Sequence, residues 1–334
     1  MKSVVAQNRN IKVIDQPIPT LKDSYVLIKT MHSVISPGTE LSMIEASSNR
    51  SVSLGYSAAG VVLECGNAVQ QLEKGDVVAC YGAPYVQHSE YLLVPQTLCA
   101  KVPATVEPKE AALAGIGAIA IHALRIADLQ FGETVVVAGL GLVGQMIAKI
   151  ANAAAFNVIS FDVEQQRAKM LADTRQIKSF SGLNEMEAKL MEETNLHGAD
   201  AVLLCTGGKG ASLTSQSLRW IRDKGKVVIV GDLQPDFPRE LMFSKEAQIL
   251  ISRAGGPGRY DQRYEEQALD YPYGFVRWTE GRNVAEYLRL VAENRIQVQP
   301  FLTGEVDFEN VAIAYEQLLS KQTTALTKVI NFSE

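Results

Sequence analysis

The sequence lacks paired cysteines. Its four cysteines, Cys65, Cys80, Cys99 and Cys205, are scattered, and no Cys-x-x-Cys pair occurs. This spacing excludes a disulfide framework and a four-cysteine zinc lobe. We therefore expect each cysteine to be a small buried hydrophobic side chain in a reduced, cytoplasmic protein.

Long apolar runs and blocks of like charge are also missing. The longest nearly uncharged apolar stretch, Ala111–Leu124, is too short to span a bilayer and contains His122, so we expect a buried or hinge helix there. The first residues, MKSVVAQNRN, have no apolar segment typical of a secretory signal. With a net charge of −5 and no basic block, we expect neither nucleic acid nor membrane as a partner.

The chain changes character near residue 120. Before that point short apolar strands alternate with turns, which is typical of an antiparallel barrel. These strands are Val26–Thr30, Ala58–Glu64, Val77–Cys80 and Tyr91–Val94, and the turn signals are Ser36-Pro-Gly, Lys74-Gly-Asp and Gly82-Ala-Pro.

After residue 120, apolar strands alternate with helices, which predicts an α/β fold with a doubly wound parallel sheet of the Rossmann type. The predicted strands are Val135–Ala138, Val158–Phe161, Ala201–Cys205, Val227–Val230 and Ile249–Ser252. The predicted helices between them are Val143–Ala154, Glu164–Ala172, Asn184–Thr194 and Ser212–Trp220. Helices at Val284–Glu293 and Val311–Leu319 and a strand at Lys328–Phe332 follow.

A glycine motif, Gly139-Leu-Gly141-Leu-Val-Gly144, lies between the first of these strands and its helix. Gly139 permits a tight turn, Gly141 lets a pyrophosphate approach the backbone, and Gly144 allows close packing of helix on strand. The pyrophosphate then lies at the positive end of the helix dipole, beside Leu142 and Val143. This motif predicts a dinucleotide site.

Asp162 ends the next strand, roughly 20 residues on, where an acidic side chain accepts hydrogen bonds from the adenosine ribose. A carboxylate there also repels a 2′-phosphate, so we expect NAD rather than NADP. Arg167 is a candidate for the adenine pocket or a solvated helix charge. The loops after two later strands should line the nicotinamide half, and they contribute Thr206, Gly207, Val230 and Gly231.

Nearly the whole chain resembles the medium-chain dehydrogenase/reductase superfamily. Gly75-Asp-Val-Val and Glu90-Tyr-Leu-Leu-Val-Pro95 resemble its GroES-like barrel, and the tail Phe308–Phe332 resembles its closing helix and strand. The resemblance implies a GroES-like catalytic domain at 1–120, a Rossmann domain at 121–253 and a return to the catalytic domain at 254–334. The stretches Arg253–Asp261 and Val276–Glu280 resemble the dehydrogenase half of bacterial two-part oxidoreductases.

The sequence departs from the zinc members of this family at each ligand position. Where they carry Cys-Gly-Thr-Asp, this chain has Pro37-Gly-Thr-Glu40; where they carry Gly-His-Glu, it has Gly55-Tyr-Ser57; and the third position falls near Gly115. Proline, tyrosine and glycine are not zinc ligands, and no histidine or cysteine stands at ligand spacing. We therefore expect no metal.

Without zinc, hydrogen-bond donors must move the substrate proton and stabilise the carbonyl oxygen. The resemblance places three candidates at the family's active site: Tyr56 at a ligand position, Thr39 at the proton-relay position and His88 where an aromatic side chain faces substrate. Each also has a purely structural alternative, and Glu40 is expected to be structural. The loop after residue 252 offers substrate candidates that could equally form a dimer contact. These are Arg253, Arg259, Tyr260 and Trp278.

These observations favour a zinc-independent, NAD(H)-linked dehydrogenase that acts on a secondary alcohol or ketone of a sugar, polyol or similar polar metabolite. A metal-free enone or quinone reductase is the first alternative, although those relatives usually prefer NADPH. A non-catalytic NAD(H)-binding sensor is the second. The resemblance implies a homodimer joined through the Rossmann sheet.

Overall fold

The structure is a computed structural model that describes residues 1–172, 177–320 and 325–332. It divides into two compact units. The first unit comprises Met1–Ala118 and Gly255–Glu334, and the second comprises Ile119–Ala254. The sequence prediction had placed these boundaries after residues 120 and 253.

The elements are numbered in chain order. The strands are β1 (Lys2–Gln7), β2 (Asn10–Asp15), β3 (Tyr25–Val34), β4 (Ser51–Ser53), β5 (Ser57–Cys65), β6 (Val77–Tyr81), β7 (Tyr91–Pro95), β8 (Cys99–Lys101), β9 (Thr134–Ala138), β10 (Asn157–Phe161), β11 (Lys178–Phe180), β12 (Ala199–Leu204), β13 (Gly208–Lys209), β14 (Ile221–Ile229), β15 (Leu233–Gln234), β16 (Gln248–Ile251), β17 (Glu305–Asp307) and β18 (Val329–Asn331). The α-helices are α1 (Pro37–Glu45), α2 (Pro108–Ala111), α3 (Ala114–Ala127), α4 (Leu142–Ala153), α5 (Gln165–Ala172), α6 (Leu183–Glu193), α7 (Ala211–Trp220), α8 (Arg239–Lys245), α9 (Gln262–Glu265), α10 (Glu280–Ala292) and α11 (Val311–Leu319).

The second unit is built on a parallel sheet. Within the described residues its strand order is β11-β10-β9-β12-β14-β16, and every neighbouring pair is parallel. All five residues of β9 are buried, which is expected of a strand covered by helices on both faces. Val136, Val202 and Val227 pack with Trp220 in one core. The predicted Rossmann fold is confirmed.

The order of the strands reverses between β9 and β12. From β9 the chain moves outward to β10 and β11, and then returns to the other side of β9 with β12. In open α/β sheets a ligand binds outside the carboxyl ends of the strands at such a switch point. The turns after β9 and β12 therefore define where a ligand of this unit should lie.

The first unit contains a sheet ordered β17-β18-β3-β5-β6-β8, with β7 also paired to β3. Apart from the parallel pair β17–β18, its strands are antiparallel. Ile28, Val78 and Leu92 form part of its core. The predicted barrel class is confirmed, and the predicted strands at residues 26–30, 58–64, 77–80 and 91–94 lie within β3, β5, β6 and β7.

One local prediction for this unit was wrong, and one predicted helix begins earlier than expected. Ser36-Pro-Gly does not form a turn between strands but begins α1, with Pro37 in its first turn, where a fixed φ suits a helix and the missing N–H is not needed. Helix α10 begins at Glu280 rather than at Val284, because the Thr279 hydroxyl caps it. A small sheet of β2, β1 and β4 was not predicted. In the part of the chain that the structure describes, every helix is too short or too polar to cross a bilayer.

Candidate functional site

The glycine turn after β9 has the geometry that its sequence predicts. Gly139 has a φ of +96°, a left-handed conformation that side chains with a Cβ rarely adopt. A Cβ on Gly144 would lie 1.8 Å from the carbonyl oxygen of Gly139, so the helix packs directly on the turn. A Cβ on Gly141 would meet no atom within 4 Å. The surface of the turn is thus open at Gly141 and closed at Gly144.

Helix α4 begins immediately after Gly141, and no side chain caps its first turn. The first N–H groups of a helix lack intrahelical acceptors, and together with the helix dipole they attract an anion. Leu142 and Val143 contribute the backbone here. The open face at Gly141 and the uncapped helix therefore fit a pyrophosphate.

Asp162 follows β10 and is 5% exposed. Its Oδ2 accepts the N–H of Leu140 at 2.6 Å, and its Oδ1 accepts the N–H of Glu164 at 2.8 Å. Arg167 Nη1 lies 3.7 Å from Oδ2. The Asp162 side chain therefore ties the glycine turn to the loop after β10. A hydrogen bond from a ribose to Asp162 stays a prediction.

The loops after β12 and β14 touch each other. A Cβ on Gly231 would lie 2.1 Å from the carbonyl oxygen of Thr206, and the N–H of Gly231 donates to the carbonyl oxygen of Leu204. Thr206 is half-buried and Gly207 is exposed. The structure thus brings the predicted cofactor residues to the carboxyl ends of four neighbouring strands. They are Gly139, Gly141, Leu142, Val143, Gly144, Asp162, Arg167, Thr206, Gly207, Val230 and Gly231.

In the first unit the structure brings Tyr56 and Thr39 together. Tyr56 is 8% exposed, and its hydroxyl donates to Ser36 Oγ at 2.6 Å. Burial raises the pKa of Tyr56 to about 12, although hydrogen bonds with the Ser36 and Thr39 side chains oppose this shift. Tyr56 is therefore a neutral phenol at physiological pH, and the exposed Thr39 hydroxyl connects it to the surface.

The three positions that resemble zinc-ligand positions do not fit a zinc ion. Pro37 and Tyr56 stand at the first two. At the third, a Cβ on Gly115 would lie 2.6 Å from the Tyr81 ring and 2.7 Å from Ser57 Oγ, so no room exists for a ligating side chain. Across the described ranges, no group of three or more histidine, cysteine or acidic residues could hold a metal ion.

His88 and Glu40 form a fully buried pair, with 0% exposure of each. His88 Nε2 lies 3.0 Å from Glu40 Oε2, and its Nδ1 lies 2.7 Å from Ser33 Oγ. Glu40 also accepts the hydroxyl of Tyr315 and, at 2.7 Å, the N–H of Ser36. Both ring nitrogens of His88 thus have partners inside the unit. A catalytic role for His88 stays a prediction, while its visible contacts hold the start of α1 in place.

Tyr81 is a candidate that sequence reasoning missed. Its ring packs edge-on against Tyr56, with the ring centroids 5.8 Å apart. It fills the space beside Gly115 and also the space beside Gly255, where a Cβ would lie 2.6 Å from the ring. Burial raises its pKa well above the usual value. Nothing in the strand sequence Val-Val-Ala-Cys-Tyr marks this residue, because the two glycines that it contacts are distant in sequence.

The predicted substrate residues have different surroundings. Arg253 is exposed and belongs to the second unit, whereas the others belong to the first. Arg259 is 7% exposed and donates to Glu265 and to a backbone carbonyl. Tyr260 is 60% exposed and stacks on the Arg259 guanidinium at 4.2 Å, while Trp278 is half-buried. Substrate contact by these residues stays a prediction.

Comparisons with known proteins agree with both units. Residues 139–270 match the family described as Zinc-binding dehydrogenase. The chain is 25% identical over 349 residues to a protein named Probable D-xylulose reductase A from Aspergillus terreus, and the match covers 92% of each chain.

Solved structures show the same fold over the full length. Galactitol-1-phosphate dehydrogenase from Escherichia coli has a TM-score of 0.81 at 19% identity, covering 99% of this chain and 100% of that one. A short chain alcohol dehydrogenase from E. coli, complexed with NADH, has a TM-score of 0.81 at 17% identity, covering 99% of each chain. Together with the Rossmann unit and the antiparallel unit described above, these matches show that the chain is similar over most of its length to zinc-type alcohol and polyol dehydrogenases and shares their fold.

Proposed function

We propose that this protein is a zinc-independent, NAD(H)-dependent dehydrogenase that interconverts a secondary alcohol and a ketone on a sugar, polyol or similar polar metabolite. The observation that carries the proposal is the turn after β9, which is open at Gly141 and leads into an uncapped helix. The names of the relatives, a xylulose reductase and a galactitol-1-phosphate dehydrogenase, support the substrate class.

The preference for NAD(H) rests on Asp162. A carboxylate beside the ribose site accepts hydrogen bonds from a 2′-hydroxyl and repels a 2′-phosphate. The neighbouring Arg167, which lies 3.7 Å from that carboxylate, is partly neutralised by it. Arg167 therefore offers less attraction to a phosphate than a free arginine would.

A bound NAD(H) supplies or accepts the hydride, and the chain must move the substrate proton. Tyr56 is suited to this as a hydrogen-bond donor, because burial keeps its hydroxyl protonated. Ser36 Oγ accepts a hydrogen bond from that hydroxyl at 2.6 Å. The side chain of Thr39, an exposed residue, also hydrogen-bonds with Tyr56. Tyr56 stands at a position that resembles a zinc-ligand position of the family, so we propose that hydrogen bonding replaces the metal.

The test is a cofactor and substrate screen on the purified protein, with Tyr56→Phe and Tyr91→Phe as matched variants. We expect turnover with NADH and polyol-derived ketones, and a kcat at least about 100-fold lower in Tyr56→Phe, since general acid catalysis typically contributes that much or more. Tyr91→Phe removes a hydroxyl from β7 and should leave kcat unchanged. Equal activity of Tyr56→Phe and wild type would overturn the role of Tyr56.

Other outcomes separate the competing functions. A strong preference for NADPH with turnover of enones identifies a reductase of that class. Tight NADH binding without turnover on any alcohol, polyol or enone identifies a sensor. Zinc at one ion per chain, lost together with activity on chelation, would overturn the metal-free mechanism; we expect activity to survive the chelator.

We also propose that the enzyme is a cytoplasmic homodimer joined through the Rossmann sheet. Its cysteines carry free thiols, which agrees with a reducing compartment. Strand β16 is an edge of the sheet, and its last residue, Ile251, is 72% exposed. Exposed apolar edge strands invite pairing with another chain.

A further inference from the structure

Three ionisable residues are buried together in the first unit. Arg259, Glu265 and Glu280 are 7%, 6% and 0% exposed. Arg259 Nη1 donates to Glu265 Oε1, and Nη2 donates to the carbonyl oxygen of Ala83. Its Nε lies 3.8 Å from Glu280 Oε1, within ion-pair range but not hydrogen-bonded. One guanidinium therefore faces two carboxyl groups.

The two carboxyl groups are not equivalent. Glu265 has the direct contact with Arg259 and also accepts the N–H of Tyr260 at 3.0 Å. Both oxygens of Glu280 are buried, and neither has a hydrogen-bond partner among the described residues. An ionised carboxylate without hydrogen bonds is costly in the interior, and a proton removes that cost. Because Arg259 can neutralise one carboxylate, Glu280 is the group that takes the proton.

Glu280 lies against the tyrosine that packs on Tyr56. A Cβ on Gly255 would be 2.6 Å from the Tyr81 ring and 3.0 Å from Glu280 Cγ, so both side chains close over the same glycine. The Tyr81 ring in turn meets the Tyr56 ring edge-on at 5.8 Å. A change at Glu280 therefore acts on Tyr56 through one intervening ring.

We propose that Glu280 is held as a neutral carboxylic acid and is a positioning residue, whose uncharged state keeps Tyr81 packed against Tyr56. The part of the proposal that concerns activity rests on the proposed function of Tyr56. The part that concerns the proton and the packing does not.

The groups around Glu280 determine whether its pKa is raised or lowered. The ionisable groups that face it are Arg259 from the loop before α9, Tyr264 and Glu265 from α9, and Tyr81 from β6. Burial raises the pKa of Glu280 well above its usual value, Arg259 opposes the shift, and Glu265 adds to it. Since the folded pKa is raised, the stabilisation is complete below the usual glutamate pKa of 4.5 and is lost as pH rises through the folded value.

The experiment compares Glu280→Gln with Glu265→Gln in the full-length protein. Glutamine has the shape of a neutral glutamic acid, so Glu280→Gln should unfold at a denaturant concentration no lower than wild type at neutral pH. It should also lose the decline in stability that wild type shows as pH rises above 4.5. Glu265→Gln should lower the midpoint, because it leaves the Arg259 charge without its partner. The infrared carbonyl band of a protonated carboxylic acid should be present in wild type and absent from Glu280→Gln.

Tyrosine packing is measured by near-ultraviolet circular dichroism as pH rises from 4.5, the usual pKa of a glutamate. We expect a transition in wild type that Glu280→Gln lacks, and a matching difference in the kcat profile over the same pH range. If Glu280→Gln is as destabilising as Glu265→Gln and no acid band is lost, Glu280 is an ionised partner of Arg259 and the proposal is wrong. If the band is lost but both proteins titrate identically in circular dichroism, the positioning role is overturned. Neither readout needs a substrate, so failure of the proposed dehydrogenase activity is recognised separately.

Discussion

The glycines of the turn after β9 offer a matched pair of substitutions, Gly141→Ala and Gly144→Ala. Each adds one methyl group within the same short motif. The methyl group at 141 would enter open space, whereas the one at 144 would lie 1.8 Å from the backbone oxygen of Gly139. Backbone φ at Gly141 is −67°, which alanine adopts without strain. The first variant should therefore fold normally and lose the dinucleotide, and the second should lose stability.

The magnitudes follow from these distances. At Gly144 the helix or the turn must move by more than 1 Å to restore van der Waals contact, and overpacking of this kind costs about 1–3 kcal/mol. For a unit of this size, 1 kcal/mol shifts Tm by roughly 3 °C, so Tm should fall by about 3–9 °C. At Gly141 the change in stability should stay within about 0.5 kcal/mol, while NADH affinity falls by at least tenfold, about 1.4 kcal/mol.

Two measurements check the pair: thermal unfolding without cofactor, and titration of NADH fluorescence. A Gly141→Ala protein that binds NADH as tightly as wild type would show that the pyrophosphate does not approach this residue. A Gly144→Ala protein with an unchanged Tm would show that the contact with Gly139 is not a packing constraint. Either result refutes the reasoning from the turn.

Three further predictions concern other parts of the chain. Burial and two neighbouring arginines lower the pKa of His122 to about 4. Because the folded pKa is depressed, the stabilisation should be complete above pH 6.5, and roughly 3 kcal/mol of it should be lost as pH falls toward 4. His122→Gln should remove this decline in denaturant titrations. Glu40→Gln replaces a carboxylate oxygen, which accepts hydrogen bonds, with an amide NH2 group that faces N–H or O–H donors. The free energy of unfolding should therefore drop by about 2–3 kcal/mol. Glu45→Gln on the same helix should have little effect. Ile251→Asp at the exposed end of β16 should convert the proposed dimer to a monomer in light scattering, and an unchanged mass would place the interface elsewhere.

Much of the second unit was predictable because its signals are local. Val135–Ala138 is apolar at every position, as a strand buried on both faces must be, and Gly144 packs against Gly139 of the same motif. The first unit was less predictable. Strands such as β4 and β17 have only three residues each, and Ser36-Pro-Gly has the composition of both a turn and a helix start.

The sequence by itself carries the resemblance to the superfamily, the dinucleotide motif with Asp162 at the following strand end, and Pro37, Tyr56 and Gly115 at the positions that resemble zinc-ligand positions. Tertiary structure decided what surrounds those residues. It placed Tyr81 in the space beside Gly115, paired His88 with Glu40, and left the oxygens of Glu280 without hydrogen-bond partners among the described residues. The physical reason is that residue type and spacing encode local geometry, whereas burial and electrostatic environment arise from side chains that are distant in sequence and meet only after folding.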